Sequence, residues 1–275
     1  MAELSIIIVN LNNKDLVLDC IDSINKEGSK INLEIVVVDN GSTDGSVAAI
    51  RSFKSQIPNF KPTIIENDEN LGYSKANNQG MEKARGKYIL LLNSDTIVKR
   101  GALGKLLNFA KRQKDTGVVG PKLLNKDGSL QPSCFRFPNI KNAIREYWLG
   151  EEGLFGKYAP KEKEHSEVDS VVGAAFLITP KALEKVGMLD ERYFAYFEDI
   201  DYCRQTWKSG LKVYYYPGSE IIHYHGATFK KMANADVQWK KLIPSSKIYH
   251  GLTKHYMLTA IIWLGQKWTR IVKKR

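Results

Sequence analysis

Four short apolar runs, each closed at its C-terminal end by polar or acidic residues, constrain this chain more than any other feature. They are Leu4–Val9 followed by Asn10, Glu34–Val38 followed by Asp39, Thr63–Glu66 followed by the polar stretch from Asn67 to Asn70, and Tyr88–Leu92 followed by Asn93-Ser94-Asp95. Short runs rich in Val, Ile and Leu read as buried strands. Between them the spacing turns helical. Leu16, Cys20 and Ile24 recur every four residues within 15–24. A second helix is expected after the loop Asp39-Asn40-Gly41-Ser42-Thr43-Asp44-Gly45, with Ser42 or Thr43 as its N-cap. A third is expected over 74–84. Strands alternating with helices predict a mostly parallel sheet with helices on both faces, and such sheets bind ligands at the carboxyl ends of their strands. All four polar closures fall at that end.

Beyond about residue 120 the character changes. Pro121–Arg136 reads as hairpins and loops, 157–167 as an exposed charged loop, and Val171–Ile178 as a strand. Glu198–Lys208 reads as a helix with Ile200, Cys203 and Trp207 on one face. Lys212–Tyr216 and Glu220–Tyr224 read as two strands separated by Pro217-Gly218. Three parts are expected: residues 1–120, a mixed α+β part over 121–230, and a helical basic tail over 231–275.

Composition narrows the class. With 275 residues, 43% hydrophobic and 26% charged, the chain has the material for a large core and is unlike a disordered sequence. The net charge of +11 points to anionic partners: nucleotide phosphates, nucleic acid or an acidic membrane face. Three widely spaced cysteines, Cys20, Cys134 and Cys203, make neither a disulfide framework nor a C-x-x-C metal knuckle, and suit a reducing cytosol. The opening Met1-Ala2-Glu3-Leu4 has no basic leader segment. The late apolar run Met257–Leu264 is far shorter than the ~20 residues that span a bilayer.

Five motifs occur in order: Ser5-Ile6-Ile7-Ile8-Val9-Asn10; Val36-Val37-Val38-Asp39-Asn40-Gly41-Ser42-Thr43-Asp44; Asn70-Leu71-Gly72-Tyr73 with Asn77-Asn78-Gln79-Gly80; Leu92-Asn93-Ser94-Asp95; and Tyr196-Phe197-Glu198-Asp199-Ile200-Asp201. Together, over roughly residues 4–228, they resemble glycosyltransferase family 2, with its GT-A fold, and within it the rhamnosyltransferase-like branch. The resemblance implies an inverting glycosyltransferase. Residues 1–120 would bind the nucleotide sugar, and residues 121–230 the acceptor and the catalytic base. It also implies a pyrimidine donor, a dTDP- or UDP-sugar with dTDP-rhamnose as the candidate, and a glycan or lipid-linked acceptor in cell-surface polysaccharide synthesis. The expected compartment is the cytoplasm or the cytoplasmic face of the membrane.

Each motif carries chemistry that the resemblance assigns. Asp39 is expected to accept a hydrogen bond from the base, helped by Asn40; Asn10, Asn70, Gly72, Asn78 and Ser94 are expected around the donor nucleotide. A diphosphate leaving group carries concentrated negative charge, so a hard divalent cation, Mn²⁺ or Mg²⁺, is expected on Asp95. Asn93 stands where an acidic residue is usual and lowers the charge of that site. His223 is the expected second metal ligand, with Pro217, Gly226 and Thr228 framing it and His225 behind it. Inverting transfer needs one carboxylate to take the acceptor proton. The resemblance gives that role to Asp199, with Glu198 and Tyr196 binding acceptor. Read without the resemblance, Glu198 and Asp199 are equally well explained as first-turn helix acids, and Asp39 as the organiser of a turn.

Two other readings compete. A sugar nucleotidyltransferase also binds nucleotide at strand ends, but would carry a Gly-rich basic loop where this chain has Asn10-Leu11-Asn12-Asn13. A catalytically silent basic glycan- or nucleic-acid-binding protein suits the charge, yet no nucleic-acid-binding motif is present, and nucleic acid is not an expected partner. The tail from about Tyr256 to Arg275 mixes apolar and basic residues. It fits either a helix lying on an anionic membrane or one packed on the domain. Self-association is left open.

Overall fold

The computed structural model describes residues 2–56, 62–224 and 235–272. Strands β1 (Leu4–Asn10), β2 (Leu33–Asp39), β3 (Thr63–Glu66) and β4 (Tyr88–Asn93) form a parallel block in the order β3-β2-β1-β4. Helices α1 (Lys14–Lys26), α2 (Ser46–Gln56) and α3 (Tyr73–Lys83) connect them. The register sets Asn10 opposite Asp39 and Val9 opposite Asn93, so the polar closures end at one level. Successive strand residues point to opposite faces. Accordingly Ile6, Ile8, Val37, Leu90 and Leu92 pack with the buried faces of α1 and α4 (Ala102–Arg112). Ile7, Val36, Val38 and Leu91 pack on the other side with Ala76, Met81, Tyr202 and Cys203.

The sheet does not stop near residue 120. After β5 (Thr96–Val98) and β6 (Thr116–Leu124) come the short strands β7 (Leu130–Gln131) and β8 (Cys134–Phe135) and helix α5 (Ile140–Tyr147). Next are β9 (Ser166–Glu167), β10 (Ser170–Val171), β11 (Ala175–Ile178), α6 (Pro180–Val186), α7 (Glu198–Lys208) and β12 (Lys212–His223). Strand β11 continues the parallel block in the antiparallel sense, followed by β6, β12 and β5. Two more helices, α8 (Ala235–His250) and α9 (Leu252–Val272), follow. No described helix is long and apolar enough to cross a membrane.

Four local expectations are corrected. Helix α2 begins at Ser46, and its end is capped by Asp44, whose Oδ1 accepts the Ser46 N–H at 3.0 Å. Ser42 instead accepts the Asn12 N–H at 2.9 Å, stitching two loops. Pro121 lies inside β6 rather than in a loop, opposite Tyr216 and beyond the last pairing with β11 at Val119. The strand expected over 171–178 is broken at 172–174 into β10 and β11, which belong to different sheets. The two strands expected around Pro217-Gly218 are one strand, β12, carrying a bulge where the register shifts between Tyr216 and Glu220.

Gly86, just before β4, shows how tightly the parallel block is closed. A Cβ there would lie 2.5 Å from the Ser5 nitrogen and 2.8 Å from the Leu4 carbonyl carbon, both backbone atoms that cannot rotate away. Gly86→Ala is therefore expected to destabilise the protein by about 1–3 kcal/mol, read as a lower urea midpoint with an unchanged m-value.

Candidate active site

At the ends of β1 and β2, Asn10 Nδ2 donates to Asp39 Oδ1 at 3.0 Å and to Ser42 Oγ at 3.2 Å, while Ser42 N donates to Asp39 Oδ2 at 2.8 Å. Asp39 is buried, and each of its oxygens keeps a further lone pair. Asn10 Oδ1 is buried with no partner among the described residues. Asn40 and Asn70 are spent differently. Asn40 Nδ2 donates to Asn70 Oδ1 at 2.9 Å, and Asn40 Oδ1 accepts from Leu71 N and Asn67 Nδ2, both at 3.1 Å. Asn70 Oδ1 also accepts from Gly72 N at 3.0 Å. These two amides tie the loop after β2 to the loop between β3 and α3.

Gly72 has φ 89° and precedes α3. A Cβ on it would meet the Phe194 carbonyl oxygen at 2.8 Å, so a side chain is excluded by both conformation and space. The next residue, Tyr73, donates its N–H to Phe194 O at 2.7 Å. Its hydroxyl donates to Gly173 O at 2.8 Å and lies 3.2 Å from Asn93 Oδ1. Burial, then the charges of Glu198 and Asp199, push that hydroxyl's pKa far up, with Asp95 adding to it. Tyr73 thus stays a neutral donor at the meeting point of the acidic groups. Asn78, expected at the ribose or phosphate, has another task. Its Nδ2 donates to Leu189 O at 2.8 Å and to Glu191 Oε1 at 3.0 Å, and its Oδ1 accepts from Leu189 N at 3.0 Å. Both amide protons are taken, so Asn78 clamps the 189–191 segment to α3.

Ser94 and Asp95 form the turn between β4 and β5, both buried. Asp95 Oδ1 lies 3.4 Å from His223 Nε2, at the end of β12. His223 Nδ1 is 2.8 Å from Gln131 Oε1. Gln131 Nε2 in turn donates to Asn125 Oδ1 at 2.8 Å and to His223 O at 3.1 Å, which fixes the amide orientation. In the neutral ring, Nδ1 therefore carries the proton and Nε2 the lone pair, on the side facing Asp95. An oxygen and an imidazole nitrogen roughly 3 Å apart match adjacent ligands around a cation with bonds of about 2.1 Å. Among the described residues no third His, Cys, Asp or Glu completes a cage. Asn93 Oδ1 is turned to Tyr73. The pair fits a cation that takes its remaining ligands from phosphate oxygens and water. His225, Gly226 and Thr228 lie outside the described residues.

Helix α7 delivers the other acids. It is preceded by two consecutive left-handed residues, Tyr196 (φ 68°) and Phe197 (φ 70°). Such residues cost about 1–3 kcal/mol each and persist only where packing holds them. Here Ser245 Oγ of α8 donates to Ala195 O at 2.7 Å, and the Phe197 ring packs on Tyr249, 5.2 Å between centroids. Asp199 Oδ2 accepts from Gly173 N at 2.9 Å and Oδ1 from Ile200 N at 2.8 Å. Burial raises the Asp199 pKa above its ordinary value, although these two N–H groups and the Lys157 charge oppose the rise. Burial, then Asp199, raises Glu198 further, and Glu198 Oε2 has no partner among the described residues. One turn on, Asp201 pairs with Arg204.

The structure thus brings Asp95 and His223 into contact and sets Asn10, Asp39 and Ser94 at the same strand ends. Glu198 and Asp199 reach this cluster through Tyr73 and Gly173. Sequence reasoning gave no role to Tyr73, Gln131 or Lys157. Tyr73 stood inside a recognised motif. Gln131 is 92 positions from His223 and had no local signal at all.

The raised acid gives a pH test. Glu198 is protonated more readily in the folded chain than its ordinary value of 4.5 allows, so folding binds protons as pH rises above about 4.5. Its stabilisation is complete below that value and is lost as pH climbs towards the raised folded value. Thermal unfolding from pH 4.5 to 8 should show Tm falling less steeply for Glu198→Gln than for wild type. Equal slopes would contradict the assignment.

Such a sheet, with a polar cluster at its strand ends, is a GT-A fold. Solved structures share it. One is GalNAc-T7 with UDP, GalNAc and Mn²⁺, with TM-score 0.64 and 16% identity, covering 81% of this chain and 44% of that one. Another is the mannosyltransferase PcManGT from Pyrobaculum calidifontis with GDP-Man and Mn²⁺, with TM-score 0.61 and 16% identity, covering 98% and 75%. The chain belongs to glycosyl transferase family 2, whose model matches residues 5–187. It is 29% identical over 210 residues to the N-acetylglucosaminyl-diphospho-decaprenol L-rhamnosyltransferase of Mycobacterium tuberculosis (strain CDC 1551 / Oshkosh), a match within the rhamnosyltransferase-like branch. That alignment covers 70% of this chain and 66% of the relative's length.

Proposed function

We propose that the protein is an inverting glycosyltransferase that moves a sugar from a pyrimidine nucleotide diphosphate onto a glycan or lipid-linked acceptor in cell-surface polysaccharide synthesis. The observation that carries this reading is the convergence of an acid–imidazole pair, Asp95 and His223, with an oriented carboxylate, Asp199, at the ends of the strands that carry Asn10 and Asp39. The two sets of groups supply the two needs of the reaction. One side accommodates a leaving diphosphate; the other accepts a proton.

In this reading the base of the donor lies against Asn10 and Asp39. The open Asn10 Oδ1 and the spare Asp39 lone pairs accept its N–H. Asn40, Asn70 and Gly72 shape the floor on which it rests, and Ser94 lies at the adjoining strand end. Asp95 and His223 would hold Mn²⁺ or Mg²⁺, which would supply charge neutralisation for a departing diphosphate. The acceptor hydroxyl oxygen forms a bond to the anomeric carbon from the face opposite the phosphate. The carbon–phosphate-oxygen bond breaks with its electron pair going to the nucleotide diphosphate, and the configuration inverts. The hydroxyl proton passes to Asp199, whose two backbone hydrogen bonds aim its remaining lone pairs and whose raised pKa strengthens it as a base. Glu198 and Tyr196 flank the incoming acceptor.

The relative from Mycobacterium tuberculosis is named for L-rhamnose transfer to a lipid-linked sugar, which makes dTDP-rhamnose the first donor to test. Such an acceptor would set the enzyme at the cytoplasmic face of the membrane. Incubation with a panel of dTDP- and UDP-sugars and Mn²⁺ or Mg²⁺ should release nucleotide diphosphate. Asp199→Asn should lower kcat by about 10²–10⁴-fold. Release unaffected by this change would remove Asp199 as base. No release from any donor, together with tight oligonucleotide binding, would favour the silent binding protein.

In this reading Gln131 orients His223 and does not itself touch the metal. Gln131→Leu should raise the metal concentration for half-maximal activity by about 10–100-fold and leave the rate at saturating metal nearly unchanged. A loss of rate that metal does not restore would contradict the metal role of His223.

A further inference from the structure

Helix α9 is apolar on two opposite sides. Its inner side holds the buried His255, Leu258 and Gly265 and packs on α5: Trp148 Nε1 donates to Ile261 O at 3.0 Å, and a Cβ on Gly265 would meet Tyr147 Cβ at 2.7 Å. At 100° per residue, its outer side gathers Leu252, Trp263, Tyr256, Leu264, Met257 and Trp268 into one broad stripe. All six are exposed, from 47% for Met257 and Leu264 to 62% for Leu252. Trp148 (42%) and Leu149 (69%) add exposed apolar surface beside the Ile261–Gly265 turn. A helix facing water carries polar residues on that side, and an all-round apolar helix is covered by something.

The charge identifies the cover. Residues 237–275 contain nine Lys or Arg and no Asp or Glu, so residues 1–236 hold only +2 of the net +11. Within the stripe, Lys267 Nζ lies 3.7 Å from the Trp263 ring centroid, lifting a cation over an aromatic face. Two copies docking through this face would bring two strongly positive segments together. An anionic lipid surface instead takes both features: aromatic rings settle among the headgroups, and basic side chains meet their phosphates.

We infer that the outer face of α9, widened by the end of α5, is a membrane-docking surface for anionic phospholipid. This does not depend on the transfer chemistry. It does place the docking element beside the acceptor side of the cleft. Helix α8 is tied to Ala195 and packs on Phe197, directly before Glu198, and leads into α9 through Gly251 at φ 75°.

The test uses the full chain and vesicles free of any lipid-linked sugar. The protein should co-float with phosphatidylcholine vesicles containing about 30% phosphatidylglycerol and not with phosphatidylcholine alone, and 0.5 M NaCl should weaken the binding. Trp263→Ser with Trp268→Ser, and separately Leu264→Glu, should each reduce the bound fraction by about tenfold or more. Both should retain the wild-type Tm and wild-type nucleotide diphosphate release with a water-soluble acceptor. Equal flotation of wild type and both variants would overturn the proposal. So would absence of flotation, or a lipid-free dimer in light scattering that both variants dissolve. A variant that loses flotation together with Tm is replaced in the argument by Leu149→Glu, expected to give the same loss.

Discussion

The hydroxyl of Tyr73 is the interaction on which the cleft depends. It bridges the end of β4 at Asn93 and the break between β10 and β11 at Gly173. Gly173 in turn donates its N–H to Asp199. The start of α3, the end of β4 and helix α7 are therefore joined through one phenol. Burial and neighbouring negative charge keep that phenol protonated, so it acts as a donor rather than adding another anion. The same crowding explains Asn93. An aspartate there would add a further negative charge beside Glu198, Asp199 and Asp95, whereas a neutral amide lies 3.2 Å from the Tyr73 hydroxyl without that repulsion.

Orientation elsewhere is also held by neutral groups. Gln131 sets the His223 ring, backbone N–H groups set Asp199, and the Asn40–Asn70 pair sets the loops after β2 and β3. Two left-handed residues, Tyr196 and Phe197, bend the chain so that α7 starts with its acids facing inward. Their conformational cost is offset by packing against α8, which makes the C-terminal helices part of the site's support.

Much of this was legible in the sequence. Strand identity followed from apolar runs, and the polar cluster at their carboxyl ends from the residues that closed them. In-register parallel pairing then brought Asn10, Asp39 and Asn93 level, as the pattern implied. The misreadings share a cause. Pro121 and Pro217-Gly218 are turn signals in isolation, but both fall where a long strand loses a neighbour or bulges. The run 171–178 has strand composition throughout, and only its two different pairing partners break it. Asn78 carries the chemistry of a ligand-binding amide, yet the segment at 189–191 claims it.

The sequence by itself determined the sheet, the polar ends of its strands and the identity of the acids. These depend on local periodicity and on residue type, both written in consecutive positions. Only the tertiary structure decided which of those polar groups face the cleft and which are consumed in holding it, and which surface of α9 is left bare. Hydrogen bonds across separations of about 90 to 110 residues make those choices, and no local pattern encodes them.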